Sequence, residues 1–459
     1  MVGVTGWICL VLLVCMLNAS FTIGKLLFAK GRKNDQLDEA SRRTSDSIIH
    51  VFLMAAYKEP IDVILKTVES IKSQTKAKQI LFVVAFEERT PEFDSKCAAI
   101  RTFCDGAFLD IIFTRHPYGV EGEIPGKCSN ANFAAREAVR QLKQKLPNLD
   151  SLDNCLFTTC DTDNLFPTDY CQRLGEEFVR CEKRHEVIWQ PPLFYNYDLD
   201  KRPFFVRVTG IIRMVFVIGM LIPQNINAMS IYSMSVNLLI RGNYFHPSYQ
   251  FVDAIDNLVR MIAIGGVVPL KMLPCPVISG PTSGANLAQE ASEWARQAWR
   301  WTIGCAEIFH VFCIKSRQLS FWSALAYGFA FTHYYGFILC SMALISLTGL
   351  ISTNVFDSVG ICSPADYLPH ELLYFVPLMG IGFAYCVFAW CFLLDKLATR
   401  CVLDVNEHIC PIRNLLHWIS SPFVLLDYSM VGYYAIAEVA IRGKKVCTHG
   451  ASKKGALAV

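Results

Sequence analysis

The sequence predicts an α/β domain that lies between an N-terminal transmembrane helix and C-terminal interfacial and transmembrane helices. Three observations predict this fold class. The 459 residues are 53% hydrophobic and only 18% charged, a balance typical of a membrane protein that also carries a polar domain. Patterns of buried strands and amphipathic helices alternate from residue 48. Long apolar segments lie near both ends of the chain.

Net charge and cysteine content exclude several classes of protein. The formal net charge of +3 is small, and no run of Lys and Arg is interleaved with aromatic residues as a nucleic-acid groove requires. The 19 cysteines are scattered without a CxxC pair, so we expect reduced core residues rather than disulfides or a structural zinc site. The sequence therefore predicts no nucleic-acid partner.

Residues 1–28 form the predicted membrane anchor. The segment from Gly6 to Phe28 is almost continuously apolar, and several basic residues follow it. A cleaved signal peptide carries its positive charge before the apolar core, and no basic residue precedes Gly6 here, which favours a retained helix. The basic flank places its downstream side in the cytosol, and the polar residues 29–47 suit a linker.

Residues 48–290 form the predicted cytosolic α/β domain. A strand pattern covers 48–56, a helical pattern follows, and the next apolar strand covers 79–85. A parallel strand-helix-strand unit brings the carboxyl ends of its strands to one edge of the sheet. Glu59 follows the first strand and Glu87 follows the second, so both are predicted at the edge where nucleotides bind in open α/β sheets.

A helix start that suits an anion comes next. Residues 125–132 precede a helical pattern over 133–145, and they include Gly126, Lys127 and Asn132. Backbone N–H groups and a lysine at a helix start can bind an anion. The alternative is an ordinary capped helix with an exposed lysine.

Two carboxylates one residue apart follow a further apolar strand pattern. Asp161 and Asp163 come soon after the apolar run 155–157, at the same predicted edge of the sheet. Two oxygen ligands near one point suit a hard divalent cation, Mg²⁺ or Mn²⁺, that also binds a diphosphate. The alternative is a helix cap or a solvated turn, because the Asp-x-Asp pattern is common.

The segment 204–222 is apolar enough to be taken for a membrane span. A crossing there would separate Asp163 from the later candidate residues by a bilayer, and it would place two arginines, Arg207 and Arg213, inside the membrane. We therefore predict a helix that is buried in the domain or lies on the membrane surface.

Asp253 and Asp256 lie near the start of a predicted helix. Their spacing places both near one helical face, close to the positive end of the helix dipole, where an ionised base is stabilised. Either residue could equally be an N-cap.

The C-terminal third carries the remaining membrane segments. Residues 291–317 are predicted as an interfacial helix rich in tryptophan, and 318–417 as two transmembrane helices joined by a loop with no basic residue. Residues 418–459 are predicted as an interfacial or re-entrant helix with a basic tail. Three spans with an outside amino terminus leave the α/β domain in the cytosol, at the plasma membrane or the Golgi.

These motifs together resemble the processive-type family-2 glycosyltransferases, the group that contains cellulose, chitin and hyaluronan synthases and ceramide glucosyltransferase. The residues that carry the resemblance are Asp161 and Asp163, the Lys127-x-x-x-x-Asn132 spacing, the acidic helix start near Asp253 and Asp256, and Gln297, Arg300 and Trp301 just before the membrane helices. The last group has the Gln-x-x-Arg-Trp form and is the most specific signature.

The resemblance implies a GT-A domain that uses a nucleotide-diphosphate sugar, expected to be a UDP-sugar, with inversion at the anomeric carbon. It implies metal and diphosphate binding by Asp161 and Asp163. Asp256, or alternatively Asp253, would be the general base. The implied donor-binding residues are Glu59, Glu87, Lys127, Asn132 and Asp161, and the implied acceptor-binding residues are Gln297, Arg300 and Trp301.

Three hypotheses on function stay open at this point. The first is a membrane-bound glycosyltransferase with a glycan acceptor, as in polysaccharide biosynthesis. The second is a membrane-bound glycosyltransferase with a lipid acceptor. Three spans are few for a channel, which favours this lipid acceptor or, for a glycan, an oligomeric pore built by a homo-oligomer. The third hypothesis is a non-catalytic relative that binds a sugar nucleotide.

Overall fold

The computed structural model describes residues 2–31, 38–145, 152–195, 204–245, 268–280, 286–302, 320–338, 359, 370–405 and 410–442. Ten strands are described: β1 Ile49–Ala56, β2 Ile80–Glu87, β3 Asp110–His116, β4 Cys155–Cys160, β5 Asn164–Leu165, β6 Ile188–Gln190, β7 Leu193–Phe194, β8 Tyr232–Ser235, β9 Leu270–Met272 and β10 Val277–Ser279. The predicted α/β class is confirmed, because helices alternate with the strands of a central sheet.

Twelve helices are described in the same part of the chain. They are α1 Val2–Gly31, α2 Glu39–Asp46, α3 Ile61–Lys72, α4 Phe93–Phe103, α5 Lys127–Lys145, α6 Tyr170–Arg180, α7 Phe204–Phe216, α8 Val236–Arg241, α9 Leu287–Thr302, α10 Phe321–Phe331, α11 His370–Leu397 and α12 Pro411–Arg442. The helices α7, α10 and α11 each continue into a π-helical turn, at Val217–Leu221, Thr332–Ile338 and Ala398–Val402.

The main sheet has seven strands in the order β3, β2, β1, β4, β8, β6, β9. The first four strands are parallel, whereas β8 runs antiparallel to both β4 and β6. A separate three-stranded sheet has the order β5, β10, β7. The chain leaves β1 towards β2 on one side and returns at β4 on the other, which opens a crevice at the carboxyl ends of β1 and β4.

Alternate residues of the parallel strands face two different cores. Val51 and Leu53 of β1 lie in the core shared with α5 and α7, whereas Phe52 and Met54 lie in the core shared with α3 and α6. Both faces are covered, which explains why these strands are continuously apolar rather than alternating with polar residues.

Four helices are long and apolar enough to cross a membrane within the described part of the chain. They cover Gly6–Lys30, Phe204–Leu221, Ile381–Val402 and Pro411–Arg442. Three spans are predicted from the sequence, and the first of the two within 318–417 falls in a part of the chain that is described only as far as residue 338. The final helix also begins earlier than predicted and runs unbroken through Pro422.

The apolar segment 204–222 is a helix that lies mostly buried inside the protein, against α1, α11 and α12 among others. In this segment 83% of the residues are buried inside the protein, against 39% for the segment of α1. Asn18 Nδ2 of α1 donates to the Gly219 carbonyl at 3.1 Å, and Thr22 Oγ1 donates to the Ile218 carbonyl at 3.2 Å. A Cβ at Gly219 would lie 2.3 Å from the Cys15 carbonyl oxygen, so only glycine permits this approach.

Part of the predicted linker 29–47 is folded. The helix α2 has an N-cap at Asp38, whose side chain accepts from the Ser41 N–H, and Lys76 Nζ lies 2.5 Å from Asp46 Oδ1. These contacts attach the end of the segment to the α/β domain, which a pattern without apolar periodicity does not predict.

Candidate functional site at the carboxyl edge of the sheet

Asp161 and Asp163 lie in a tight turn at the end of β4. The Asp161 N–H donates to Asn164 Oδ1 at 2.6 Å, and Thr67 Oγ1 of α3 donates to the Thr162 carbonyl at 2.7 Å. Asp163 is buried, with 7% of its surface exposed, whereas the Asp161 side chain is 24% exposed. The turn therefore presents two carboxylates at the crevice, one deep and one near its mouth.

Lys127 joins this pair from the start of α5. Its Nζ lies 2.8 Å from Asp161 Oδ1. The helix begins at Lys127 itself, earlier than the predicted 133. Asn130 Nδ2 donates to the Ala85 carbonyl of β2 at 2.8 Å and so holds the helix start against the sheet. Asn132 is also buried, but its Oδ1 accepts from Arg136 Nε of the same helix at 3.3 Å.

Glu59 and Glu87 lie at the same edge, after β1 and at the end of β2. Glu59 Oε2 accepts from the Tyr57 N–H at 2.7 Å. Glu87 is buried, and burial is the main reason that its pKa lies above the ordinary value. The Arg89 guanidinium acts against that rise, and the neighbouring Glu59 carboxylate adds to it. The structure thus brings the two predicted glutamates close enough to interact.

A cluster of one arginine and two tyrosines near these glutamates is not predicted from the sequence patterns. The Arg89 Cζ atom lies 3.8 Å from the ring centroid of Tyr118 and 5.9 Å from that of Tyr57. The three residues follow three different strands, so no local pattern connects them.

The three-stranded sheet shapes the other wall of the crevice. Ser279 of β10 pairs with Asn164 of β5, and the Gly280 N–H donates to the Asp163 carbonyl at 2.8 Å. A Cβ at Gly280 would lie 2.9 Å from Asp163 Cβ and 3.3 Å from Asp163 Oδ2. Glycine is therefore needed at 280, because the backbone packs too closely against Asp163 to leave room for a side chain.

The donor set of the site fits a bound divalent cation. Asp161 and Asp163 supply the hard oxygen ligands that Mg²⁺ and Mn²⁺ prefer. Within the described ranges, no group of three or more His, Cys, Asp or Glu side chains is placed to hold a metal ion. A cation here would therefore complete its coordination with oxygens from a diphosphate or water.

Tyr195 and Arg213 are further residues of this wall that the sequence analysis did not assign to the site. Arg213 Nη2 of α7 donates to Tyr195 Oη at 3.2 Å. Burial raises the pKa of Tyr195 most, Arg213 acts in the opposite direction, and the carboxylates of Asp163 and Asp161 add to the rise. In the sequence, Arg213 is noticeable only as an arginine inside an apolar segment, and that feature does not show which residue it contacts.

The Gln-x-x-Arg-Trp segment lies in α9, which packs against α7 and α12. Gln297 is half-buried. Trp299 Nε1 donates to Glu438 Oε2 at 2.9 Å, and Glu290 Oε1 accepts from the Val206 N–H at 2.7 Å. Burial raises the pKa of Glu290 above its ordinary value. The segment is therefore attached to the apolar helices.

Some predicted site residues stay predictions. Arg300 and Trp301 belong to α9, but their side chains lie outside the described part of the structure, and Asp253 and Asp256 lie entirely outside the described residues. The structure places Glu59, Glu87, Lys127, Asp161 and Asp163 at one edge, and it places Asn132 one turn further along α5, against Arg136.

Comparison with known proteins finds distant similarity in fold. No protein-family model and no curated protein sequence matches the chain. A mannosyltransferase from Pyrobaculum calidifontis in complex with GDP-Man and Mn²⁺ is 11% identical, with a TM-score of 0.44 over 88% of this chain and 100% of its own. TarS residues 1–349 from S. aureus are 10% identical, with a TM-score of 0.36 over 86% of this chain and 92% of their own.

A third solved structure is glucosyl-3-phosphoglycerate synthase from Mycobacterium tuberculosis with Mn²⁺, uridine-diphosphate and phosphoglyceric acid. It is 12% identical, with a TM-score of 0.32 over 60% of this chain and 84% of its own. The similarities are too distant to carry a function, so the residues at the crevice carry the proposal that follows. They define the chain as a mixed α/β protein with a carboxylate pair and a lysine at the carboxyl edge of its sheet.

Proposed function

We propose that this protein is a membrane-bound glycosyltransferase of the GT-A type, which transfers a sugar from a nucleoside-diphosphate sugar to an acceptor hydroxyl. The observation that carries the proposal is the turn after β4, where the carboxylate of Asp161 pairs with Lys127 and the buried Asp163 lies two residues further along. An acidic pair with an adjacent lysine, at the ligand-binding edge of an α/β sheet, suits a diphosphate bound with a divalent cation.

The proposed reaction is a single displacement at the anomeric carbon. The acceptor oxygen forms a bond to that carbon while the bond to the diphosphate oxygen breaks, which inverts the configuration. The acceptor proton passes to a carboxylate, for which Asp256 is the first candidate and Asp253 the second. Gln297, Arg300 and Trp301 are the proposed residues on the acceptor side.

Asp161 and Asp163 are the proposed ligands of Mg²⁺ or Mn²⁺. The cation, when bound, offsets the negative charge that develops on the departing diphosphate. Lys127 adds a positive charge on the same side, and Glu59 and Glu87 are proposed to contact the nucleoside part of the donor. The donor is proposed to be a UDP-sugar.

The acceptor is proposed to be a glycan, as in polysaccharide biosynthesis, with a lipid as the second candidate. A specific observation favours the lipid. The helix α7 carries Arg213 next to the crevice and also packs against α1, so the site lies beside a helix that is apolar enough to cross a membrane. An acceptor held in the bilayer surface could reach the crevice along this side. An oligomeric pore would serve a glycan instead.

The proposed location follows the distribution of basic residues. The α/β domain lies in the cytosol, and the chain is anchored in the plasma membrane or the Golgi by α1 and by C-terminal helices. In this arrangement α7 does not cross the bilayer, because Arg207 and Arg213 would be costly at its centre.

The test is release of nucleoside diphosphate by the full-length protein purified in detergent. UDP-sugars and GDP-sugars are supplied with Mn²⁺ or Mg²⁺, each with glycan and lipid acceptors in separate arms. We expect metal-dependent release from one donor, and Asp163→Asn should lower it at least about 100-fold because the transition state loses a charge-stabilising group.

The matched control is Asp94→Asn, which changes an exposed aspartate in the first turn of α4. It should keep the wild-type rate. If the folded wild-type protein releases nothing from any donor with either acceptor, the enzyme proposal is wrong. The chain would then be a non-catalytic protein that binds sugar nucleotides.

A further inference from the structure

An arginine of the buried helix α7, Arg213, is held against Tyr195, a residue whose pKa the carboxylates of Asp163 and Asp161 affect. Arg213 lies in the last turn of α7 and is partly exposed, whereas most of its neighbours in that helix are buried and apolar. Its Nη2 donates to Tyr195 Oη at 3.2 Å, and its Cζ lies 4.0 Å from the centroid of the Tyr195 ring. The ring and its hydroxyl together hold the guanidinium plane in one orientation.

The register of the small sheet places Tyr195 beside the two aspartates. Strand β10 pairs in parallel with β7 through Ile278 and Phe194, and it pairs antiparallel with β5 through Ser279 and Asn164. One residue further along each pair of strands, Tyr195 comes level with Ser279, and Gly280 comes level with Asp163, so all four lie towards the same end of the sheet. The hydrogen bond from the Gly280 N–H to the Asp163 carbonyl confirms the alignment of β10 with the turn that carries Asp163.

Electrostatics agree with this placement. The carboxylates of Asp163 and Asp161 both act on the pKa of Tyr195, although burial is the larger cause of its rise. Tyr195 itself is 1% exposed, so the partly exposed Arg213 is the member of the pair that can meet a ligand. Arg213 therefore lies beside a residue whose pKa both aspartates affect.

We propose that Arg213 binds the diphosphate of the donor and that Tyr195 is the positioning residue for its guanidinium. This inference rests on the function proposed above. A guanidinium presents five N–H donors in a fixed fork that matches two oxygens of one phosphate. The departing diphosphate gains negative charge as the sugar is transferred, and a cation fixed in advance at that place lowers the barrier.

The proposal gives α7 a role beyond packing. The same helix contacts α1 through Ile218 and Gly219 and holds Arg213 at the crevice. Lys127 and Arg213 would then contact the diphosphate from the α5 side and the α7 side, with Asp161 and Asp163 between them.

The experiment measures binding by the full-length protein in detergent with Mn²⁺ present. The probes are UDP and GDP, each compared with its nucleoside, uridine or guanosine. Arg213→Gln should weaken binding of the preferred diphosphate about 10- to 100-fold, as expected for loss of charge-assisted hydrogen bonds. Binding of the nucleoside should not change, because it carries no phosphate.

Two further variants separate the effect of the planar guanidinium from the effect of the positive charge and from any effect on folding. Arg213→Lys keeps the charge without the planar fork and should fall between wild type and Arg213→Gln. Tyr195→Phe removes only the hydroxyl, so it should raise the donor KM about 3- to 10-fold. Arg241→Gln, at the exposed end of α8, is the matched control and should leave affinity unchanged.

The outcomes distinguish this inference from the proposed function. If wild type binds UDP or GDP and Arg213→Gln binds it equally well, the role of Arg213 is wrong and the glycosyltransferase proposal stands. If wild type binds neither diphosphate, the proposed function itself fails. If Arg213→Gln does not fold, Arg213→Lys decides, because wild-type affinity in that variant would overturn the proposal.

Discussion

The two sides of the Asp161–Asp163 turn are built in different ways. On one side, β1, β2 and β3 have seven or eight residues each and pair in parallel. On the other side, β5, β6, β7, β8, β9 and β10 have two to four residues and pair in both directions. The first side is held by regular local units and the second by contacts between distant segments.

This difference separates the proposed roles within the site. The long parallel strands provide a stable edge on which Glu59 and Glu87 are placed. The short strands bring Gly280 and Tyr195 to the aspartates, and through Tyr195 they orient Arg213. We therefore expect changes within the long parallel strands to act on folding, changes at the carboxyl edge of that side to act on donor binding, and changes on the short-strand side to act on catalysis.

The largest effect is expected for Gly280→Ala on the short-strand side. The new Cβ would lie 2.9 Å from Asp163 Cβ, so one of the two residues must shift. A displacement of about 1 Å at a catalytic group costs about 100-fold in rate. Donor turnover by the purified variant tests this, and thermal unfolding should show a much smaller change.

Gly382→Ala in α11 is the control, because a Cβ there meets nothing within 4 Å. It should retain wild-type turnover. Full activity in Gly280→Ala would contradict the idea that the short-strand side sets the position of Asp163.

The second effect concerns His50, which lies in β1 on the parallel side. Burial lowers its pKa from 6.5 to about 3, with a smaller contribution from Lys76. Below pH 6.5 the His50 imidazole therefore binds a proton in the unfolded chain, whereas it stays neutral in the folded chain down to about pH 3. Above pH 6.5 the protonation of His50 does not lower the free energy of unfolding. Below that pH, the free energy of unfolding falls by about 1.4 kcal/mol per pH unit, which is about 2 kcal/mol at pH 5.

Thermal unfolding measured between pH 7.5 and pH 5 tests this prediction. His50→Leu should show a flatter dependence on pH than wild type, whatever its stability at pH 7.5. If the stabilities of the two proteins depend on pH in the same way, a group other than His50 controls the loss of stability at acid pH.

Lys127→Gln should have a smaller effect, on donor binding rather than on folding. The ion pair to Asp161 is partly solvated, so its loss should change stability by less than about 1 kcal/mol. Loss of a charge next to the diphosphate should weaken donor affinity about 10-fold. Titration with the donor nucleotide measures it.

Lys143→Gln in the last turn of the same helix is exposed and serves as the comparison. Equal donor affinity in the two variants would remove Lys127 from the site. A large loss of stability in Lys127→Gln alone would indicate that the lysine holds the turn together instead.

The smallest effect is expected for Trp299→Phe in α9. It removes the hydrogen bond from Trp299 Nε1 to Glu438 Oε2, which should cost about 1 kcal/mol of stability. Thermal unfolding should shift by a few degrees, while donor affinity stays at the wild-type value. A fall in turnover as steep as that of Gly280→Ala would show that α9 supports the catalytic edge directly.

Several features could be predicted from local sequence patterns. The strands β1 and β2, the helix α3 and the Asp161–Asp163 turn follow from continuous apolar runs and amphipathic spacing, and the structure confirms them. The start of α5 was predicted six residues late, because the polar residues before 133 do not show the apolar spacing by which helices are recognised. The helix α2, at residues 39–46, was not predicted for the same reason.

Other features depend on contacts that no local pattern encodes. The short strands β5, β7 and β10 have two or three residues each, too few to show any period. Tyr195 lies near enough to Asp163 for the carboxylate to affect its pKa only because three distant segments pair in one small sheet. The stacking of Arg89 on Tyr118 likewise joins two loops that follow different strands.

The class of fold and the position of the carboxylates at the carboxyl edge could be predicted from the amino-acid sequence, because buried strands and their ends follow rules of local periodicity and chain direction. Three features could be seen only in the folded protein: segment 204–222 is buried against α1, Gly280 packs closely against Asp163, and Arg213 donates a hydrogen bond to Tyr195. These features depend on which distant surfaces pack together, and the free energy of that packing is shared among segments that are far apart in the chain.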